Sequence, residues 1–197
     1  MIIVITSEIS IKNEAQKINQ LFEAGLECLH FRKPNLTIHQ CRFSLNQIDS
    51  KYHNRIVVHH FHELINEFNL KGIHFTEQKR KNHIDNPEQY FKNLSMYGKT
   101  ISASFHNPKE LDDCYFEFDY HFLSPVFNSI SKQGYTGKEF DVHHIDKRIV
   151  ALGGINETNI EKAYQLGFKG VAVLGAIWQF ENVLDNYKRL KVSSEMH

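Results

Sequence analysis

The sequence predicts a single-domain α/β protein, a (β/α)8 TIM barrel spanning residues 1–197, and three observations carry that prediction. Eight short runs rich in β-branched and aromatic residues recur along the chain, and segments with helical spacing separate most of them. Alternation of this kind favours a parallel sheet, either closed or open and doubly wound. The third observation favours closure: the eight units end in a pair of strands that run into small residues, Gly153-Gly154 and Gly175-Ala176.

Taken in order, the strands are predicted at Ile2–Thr6, Leu26–Phe31, Arg55–His59, Gly72–Phe75, Thr100–Phe105, Tyr120–Leu123, Ile149–Leu152 and Val171–Leu174. Apolar stripes predict helices through Ile11, Ala15, Ile18 and Phe22; Ile38, Cys41, Leu45 and Ile48; Phe61, Leu64, Ile65 and Phe68; and Phe180, Val183, Leu184 and Tyr187. Gly25 reads as the stop of the first helix. Thr158-Asn159-Ile160-Glu161 reads as a capping box and Gly167 as the stop of the helix after strand seven. The connection after strand four, from Thr76 to Asn82, is basic and polar. The one after strand six, from Asn128 to Lys138, is long and rich in Ser, Gly and Lys. Both fall at the C-terminal face, where barrels keep their active sites.

Composition narrows the function. A formal net charge of +0 gives no whole-molecule field to attract nucleic acid or an anionic membrane, so an anion site must be local. The apolar run Met1–Ile5 is too short for a membrane span or a signal-peptide core. Three widely spaced cysteines, Cys28, Cys41 and Cys114, indicate neither a disulfide framework nor a zinc knuckle, and they suit a reducing cytoplasm.

Candidate chemistry clusters at the predicted strand ends. Gly153, Gly154 and Gly175 expose backbone amides that a side chain would otherwise hold away from an anion, and loops after strands seven and eight commonly bind phosphate. After strand six, Ser129, Ser131 and Lys132 form an anion clamp in which hydroxyls donate and the ammonium neutralises; a solvated loop with turn-capping serines is the alternative. His30-Phe31-Arg32-Lys33 ends strand two with paired cations, of which Arg32 offers a planar fork. Ser104 and His106 share a strand face by the period of two. Thirteen histidines are unusual, with His59-His60-Phe61-His62 the densest group. A metal site near His59 and His74 competes with the plainer reading of these side chains as polar pocket walls and helix caps.

These pieces, in this order, resemble the thiamine phosphate synthase family, which also contains the thiazole tautomerases. The family's Gln-x-Arg then Lys is similar to His30-Phe31-Arg32-Lys33, and its Ser-x-His to Ser104-Phe105-His106. Its Gly-Pro-(Val/Ile)-Phe then Thr-x-Thr-Lys is similar to Ser124-Pro125-Val126-Phe127 then Ser129-Ile130-Ser131-Lys132. Gly153-Gly154-Ile155 and the run Gly170 to Ile177 match its last two strand ends. The resemblance implies a transferase that joins hydroxymethylpyrimidine diphosphate to a thiazole phosphate, giving thiamine phosphate and pyrophosphate, with Mg²⁺ on the diphosphate. It implies that Arg32, Ser104 and Lys132 act on the diphosphate. Ser129, Ser131, Gly153, Gly154 and Gly175 would hold the monophosphate, while His30, Lys33, His59 and His106 line the substrate site. Family members often form dimers, so a homodimer is the implied assembly.

The departures from the family fall on the metal. Both family aspartates are absent from the ends of strands three and four, which read His59-His60 and His74-Phe75-Thr76-Glu77-Gln78-Lys79; His60 and Glu77 stand nearest the family's ligand positions. Two other readings therefore stay open. One is a tautomerase-type isomerase using His59, His74 or His106 as acid or base, although the loop after strand six has Pro125 where that branch has a His. The other is a non-catalytic binder of a heterocyclic phosphate.

Overall fold

In the computed structural model, residues 1–128, 137–179 and 182–195 are described. Eight strands, β1 (Ile2–Ile5), β2 (Cys28–Phe31), β3 (Ile56–Val58), β4 (Gly72–Phe75), β5 (Thr100–Phe105), β6 (Tyr120–Leu123), β7 (Ile149–Leu152) and β8 (Gly170–Val173), close into a barrel in sequence order. Every neighbouring pair is parallel, including β1 with β8, where Ile3 stands opposite Ala172. The predicted TIM barrel is the observed fold.

Alternation along each strand sorts the chain into two cores. Ile3, Ile5, Cys28, Val57, Tyr120, Phe122, Val150 and Ala172 pack inside the barrel. Outward residues such as Val4, Leu29, Ile73, Phe75, Phe105 and Val171 meet the helices. Those helices are α1 (Glu14–Glu23), α2 (Ile38–Asn46), α3 (Glu77–His83), α4 (Pro87–Phe91), α5 (Pro108–Asp112), α6 (Ile160–Gln165), α7 (Gly175–Trp178) and α8 (Val183–Glu195). The first stripe buries Ile18, Leu21 and Phe22 on α1, with Gly25 in a left-handed conformation just past its end. A capping box closes the start of α2: Thr37 Oγ1 accepts from the Gln40 amide, and the Gln40 side chain accepts from the Thr37 amide.

Three local expectations are corrected. The stripe from Phe61 to Phe68 forms only a 3-10 turn, His62–Asn66, because Phe61 takes a left-handed conformation at its entry and β4 follows closely. The polar segment after β4 is helical: the Thr76 hydroxyl caps α3 by accepting from the Lys79 amide. The capping box before α6 does not form. Asn159 occupies the cap position, but its amide is spent on the β7 loop, donating to Gly154 O at 2.9 Å and accepting from Asn156 N at 2.9 Å. Among the described residues no helix is long and apolar enough to cross a membrane.

Candidate functional site

A cavity of about 920 Å³ opens at the C-terminal ends of the strands. Its position follows from strand polarity, since in an all-parallel barrel every strand delivers its last residue to the same rim. The period of two decides which candidates face it. On β2 the inward series Cys28, His30 continues to Arg32, which lines the cavity. Lys33 falls on the outward side: it is buried and not among the cavity-lining residues, and its ammonium lies 2.7 Å from Ser7 O and 2.7 Å from both Glu14 oxygens. This internal clamp is a structural ion pair linking β1, β2 and α1. Burial nonetheless pushes the Glu14 carboxyl above its ordinary value, against the pull of Lys33.

Arg32 is held at the rim by its backbone, whose N–H donates to Thr6 Oγ1 at 2.8 Å, and its guanidinium pairs with Glu8. Both side chains line the cavity. Glu8 was missed in the sequence, where it marked only the end of an apolar run. Ser104 and His106 reach the cavity from β5, as their shared strand face predicts. His106 Nδ1 donates to Ser124 O at 2.9 Å, leaving Nε2 toward the cavity, 3.9 Å from Glu77.

Beneath this rim a polar cluster sits among the apolar side chains of the barrel interior. His30 Nδ1 is 2.8 Å from His59 Nε2, and His30 Nε2 is 2.7 Å from the Tyr120 hydroxyl. His74 bridges Ser102 at 2.8 Å and Ser104 at 2.7 Å. His59 lines the cavity, whereas His30 and His74 are wholly buried below it. Burial disfavours the charged imidazole: His30 is pushed down to about 3, and His59 and His74 are driven well below the ordinary value, with neighbouring histidines adding to the effect. The three rings are therefore neutral at physiological pH. Ser102 and Tyr120 were not singled out in the sequence, although the inward period of β5 and β6 contains them.

Gly153, Gly154 and Gly175, at the ends of β7 and β8, also line the cavity. The first two are glycine for a reason internal to the fold. Both take left-handed φ, +95° and +69°, and a Cβ would lie 2.9 Å from Pro125 Cα at Gly153 and 2.4 Å from Asn128 O at Gly154. The β6 loop is laid directly on them, with Phe127 N donating to Gly153 O at 3.0 Å. Gly175 differs: a Cβ there would meet only the Gln179 side chain, at 3.4 Å. Ser129, Ser131 and Lys132 lie outside the described residues.

The residues present do not fit Mg²⁺. Glu77 lines the cavity, but its carboxylate is committed to Lys81 at 3.2 Å and Arg80 at 4.0 Å. His60 is half-buried, its Nε2 has no partner among the described residues, and burial together with the charges of Lys79 and Arg32 lowers its pKa. Neither His60 nor Lys79 is among the cavity-lining residues. The only grouping of three metal-capable side chains among the described residues is all nitrogen, whereas Mg²⁺ takes oxygen ligands.

The family model described as "Thiamine monophosphate synthase" matches residues 2–177. The thiamine-phosphate synthase of Staphylococcus epidermidis is 28% identical over 186 residues, covering 87% of this chain and 84% of that one. Among solved structures, thiamine phosphate pyrophosphorylase from Bacteroides thetaiotaomicron is 31% identical with a TM-score of 0.76, covering 100% of this chain and 98% of that one. The thiamine phosphate pyrophosphorylase from Pyrococcus furiosus, at 22% identity and a TM-score of 0.78, covers 99% of this chain and 95% of that one and shares the fold.

Proposed function

The chain belongs to the thiamine monophosphate synthase family, and from that premise we propose that it is a transferase joining hydroxymethylpyrimidine diphosphate to a thiazole phosphate, releasing pyrophosphate. The observation that carries this reading is the division of one cavity between an Arg32 wall and a glycine-ended wall formed by β7 and β8. The two substrates divide in the same way, into a diphosphate leaving group and a monophosphate.

The chemistry breaks the bond between the pyrimidine methylene and the diphosphate oxygen, and the electron pair departs with pyrophosphate. The thiazole nitrogen then supplies the pair for the new C–N bond. Negative charge grows on the departing oxygens, so a fixed guanidinium at that place lowers the barrier. Arg32 is such a group: backbone bonds hold it at the rim, and Glu8 fixes its head. Ser104 donates to the same group from β5, oriented by His74. Gly175, where no side chain intrudes, gives the monophosphate close approach to backbone amides. The donor set disfavours Mg²⁺, so pyrophosphate release rests on the cationic side chains. A coupled assay with both substrates tests the reading. Thiamine phosphate formed by wild type and lost in Arg32→Ala supports it; absence of product with and without divalent metals overturns it.

A further inference from the structure

We propose that His30, His59 and His74 bind one divalent transition-metal ion of the zinc class at the floor of the cavity. The three residues come from the ends of adjacent strands β2, β3 and β4, and one ligand nitrogen from each lies within 4.8 Å of the others. This place is distinct from the rim positions His60 and Glu77, and it takes a different class of ion.

The geometry of the rings carries the proposal. His30 Nδ1 and His59 Nε2 point at one another across 2.8 Å, so a single proton now sits between two lone-pair sites. A metal replaces that proton when His30 shifts to the tautomer that donates from Nε2 to the Tyr120 hydroxyl, already 2.7 Å away. His74 supplies either nitrogen and keeps the other on Ser102 or Ser104, at 2.8 and 2.7 Å. Two of the three ligands thus possess the outer hydrogen bond that orients a metal-bound imidazole. The rings of His59 and His74 are stacked at 4.2 Å, and because imidazole lone pairs lie in the ring plane, one ring must turn out of the stack for both to meet a tetrahedral ion. His59 Nδ1 is buried and has no partner among the described residues, so that ring turns without breaking a second bond.

Ligand chemistry sets the metal. No carboxylate belongs to the group, which disfavours Mg²⁺ and Ca²⁺, while imidazole suits Zn²⁺, Co²⁺, Ni²⁺ and Cu²⁺. His59 and Ser104 border the cavity, so the fourth coordination position opens to whatever occupies it, as in metal sites that keep a place for water or substrate.

The test uses the full chain stripped of metal and titrated with Co²⁺. One equivalent per chain, with the intense visible absorption of four- or five-coordinate Co²⁺, supports the site. His59→Gln should weaken that binding at least 100-fold with an unchanged far-ultraviolet circular dichroism spectrum. His143→Gln, at an exposed histidine, should leave binding unaltered. Weakly absorbing six-coordinate Co²⁺, or binding at full affinity in His59→Gln, overturns the proposal. Should His59→Gln fail to fold, anomalous diffraction from Co²⁺-soaked wild-type crystals decides. A peak among the three imidazoles supports the site; a peak elsewhere, or none, overturns it.

Discussion

Substituting alanine at two of the glycines on the cavity wall should separate folding from binding. At Gly154 the added methyl lies 2.4 Å from Asn128 O and 2.6 Å from Phe127 O, and φ is +69°. Holding a non-glycine residue in the left-handed region costs about 1–2 kcal/mol, and forcing backbone apart in a packed site adds about 1–3 kcal/mol. A central value near 3 kcal/mol converts, for a domain of this size, to a drop in Tm of about 6–12 °C. At Gly175 the conformation is ordinary and the nearest atoms belong to the flexible Gln179 side chain, so Gly175→Ala should change stability by no more than about 0.5 kcal/mol. Thermal and urea unfolding measure both. Steady-state kinetics should then show Gly175→Ala raising KM for the thiazole phosphate in a fully folded protein. Equal destabilisation by the two substitutions, or an unchanged Tm in Gly154→Ala, would refute the reasoning, since each depends on what the missing Cβ would touch.

Three further outcomes follow from the site. His30 and His62 are both held at about 3 by burial, against an ordinary value of 6.5, so between those limits the unfolded chain binds more protons than the folded one. Their contribution is fully present above pH 6.5 and is lost as the pH falls, by roughly 2 kcal/mol each near pH 5; a urea midpoint that holds or rises on acidification contradicts this. Arg32→Ala should lower kcat by about 10²- to 10³-fold and Arg32→Lys should restore little of it, because the lysine lacks the planar fork; a loss under threefold excludes the proposed role. Lys33→Ala leaves the Glu14 carboxylate without its buried partner and should cost about 3 kcal/mol of stability with little change in KM, whereas a raised KM at unchanged stability would place Lys33 in the substrate site after all.

Much of this was legible in the sequence because strand period and strand polarity are local properties. Eight apolar runs located eight strands to within about two residues, and the same period placed Ser104 and His106 on the cavity. Extending it by one step past β2 separates Arg32, which faces the cavity, from Lys33, which does not. In the sequence alone the two cations read as a pair. What the sequence hides is contact between distant segments. The glycines of the β7 loop read as room for an anion, and the sequence gives no sign that at Gly153 and Gly154 the β6 loop also occupies the place a Cβ would take. Asn159 reads as part of a capping box because its use on Gly154 O is invisible until the loop is folded. Glu8 carries no signal of its own; only the register of β1 beside β2 brings it to Arg32.

The polar cluster inside the barrel makes one last prediction, which rests on counting protons. Hydrogen bonds join His59 to His30 and His30 to Tyr120, while His74 bridges Ser102 and Ser104. Each neutral imidazole has one N–H, so the contact between His59 Nε2 and His30 Nδ1 closes with one proton only if both rings carry theirs on the same nitrogen. With both on Nε2, His59 donates to His30 and His30 donates to the Tyr120 hydroxyl, 2.7 Å away. With both on Nδ1, His30 donates to His59, and the His59 Nδ1–H is left buried without a partner among the described residues. An unmade bond at a buried donor costs about 1–3 kcal/mol, so the first arrangement prevails. Nitrogen-15 NMR of the imidazoles in the metal-free protein should therefore find His30 and His59 both protonated on Nε2. Tyr120→Phe, which removes the acceptor of the His30 Nε2–H, should weaken that preference in both rings together. Different tautomers in the two wild-type rings, or both protonated on Nδ1, would refute the reasoning.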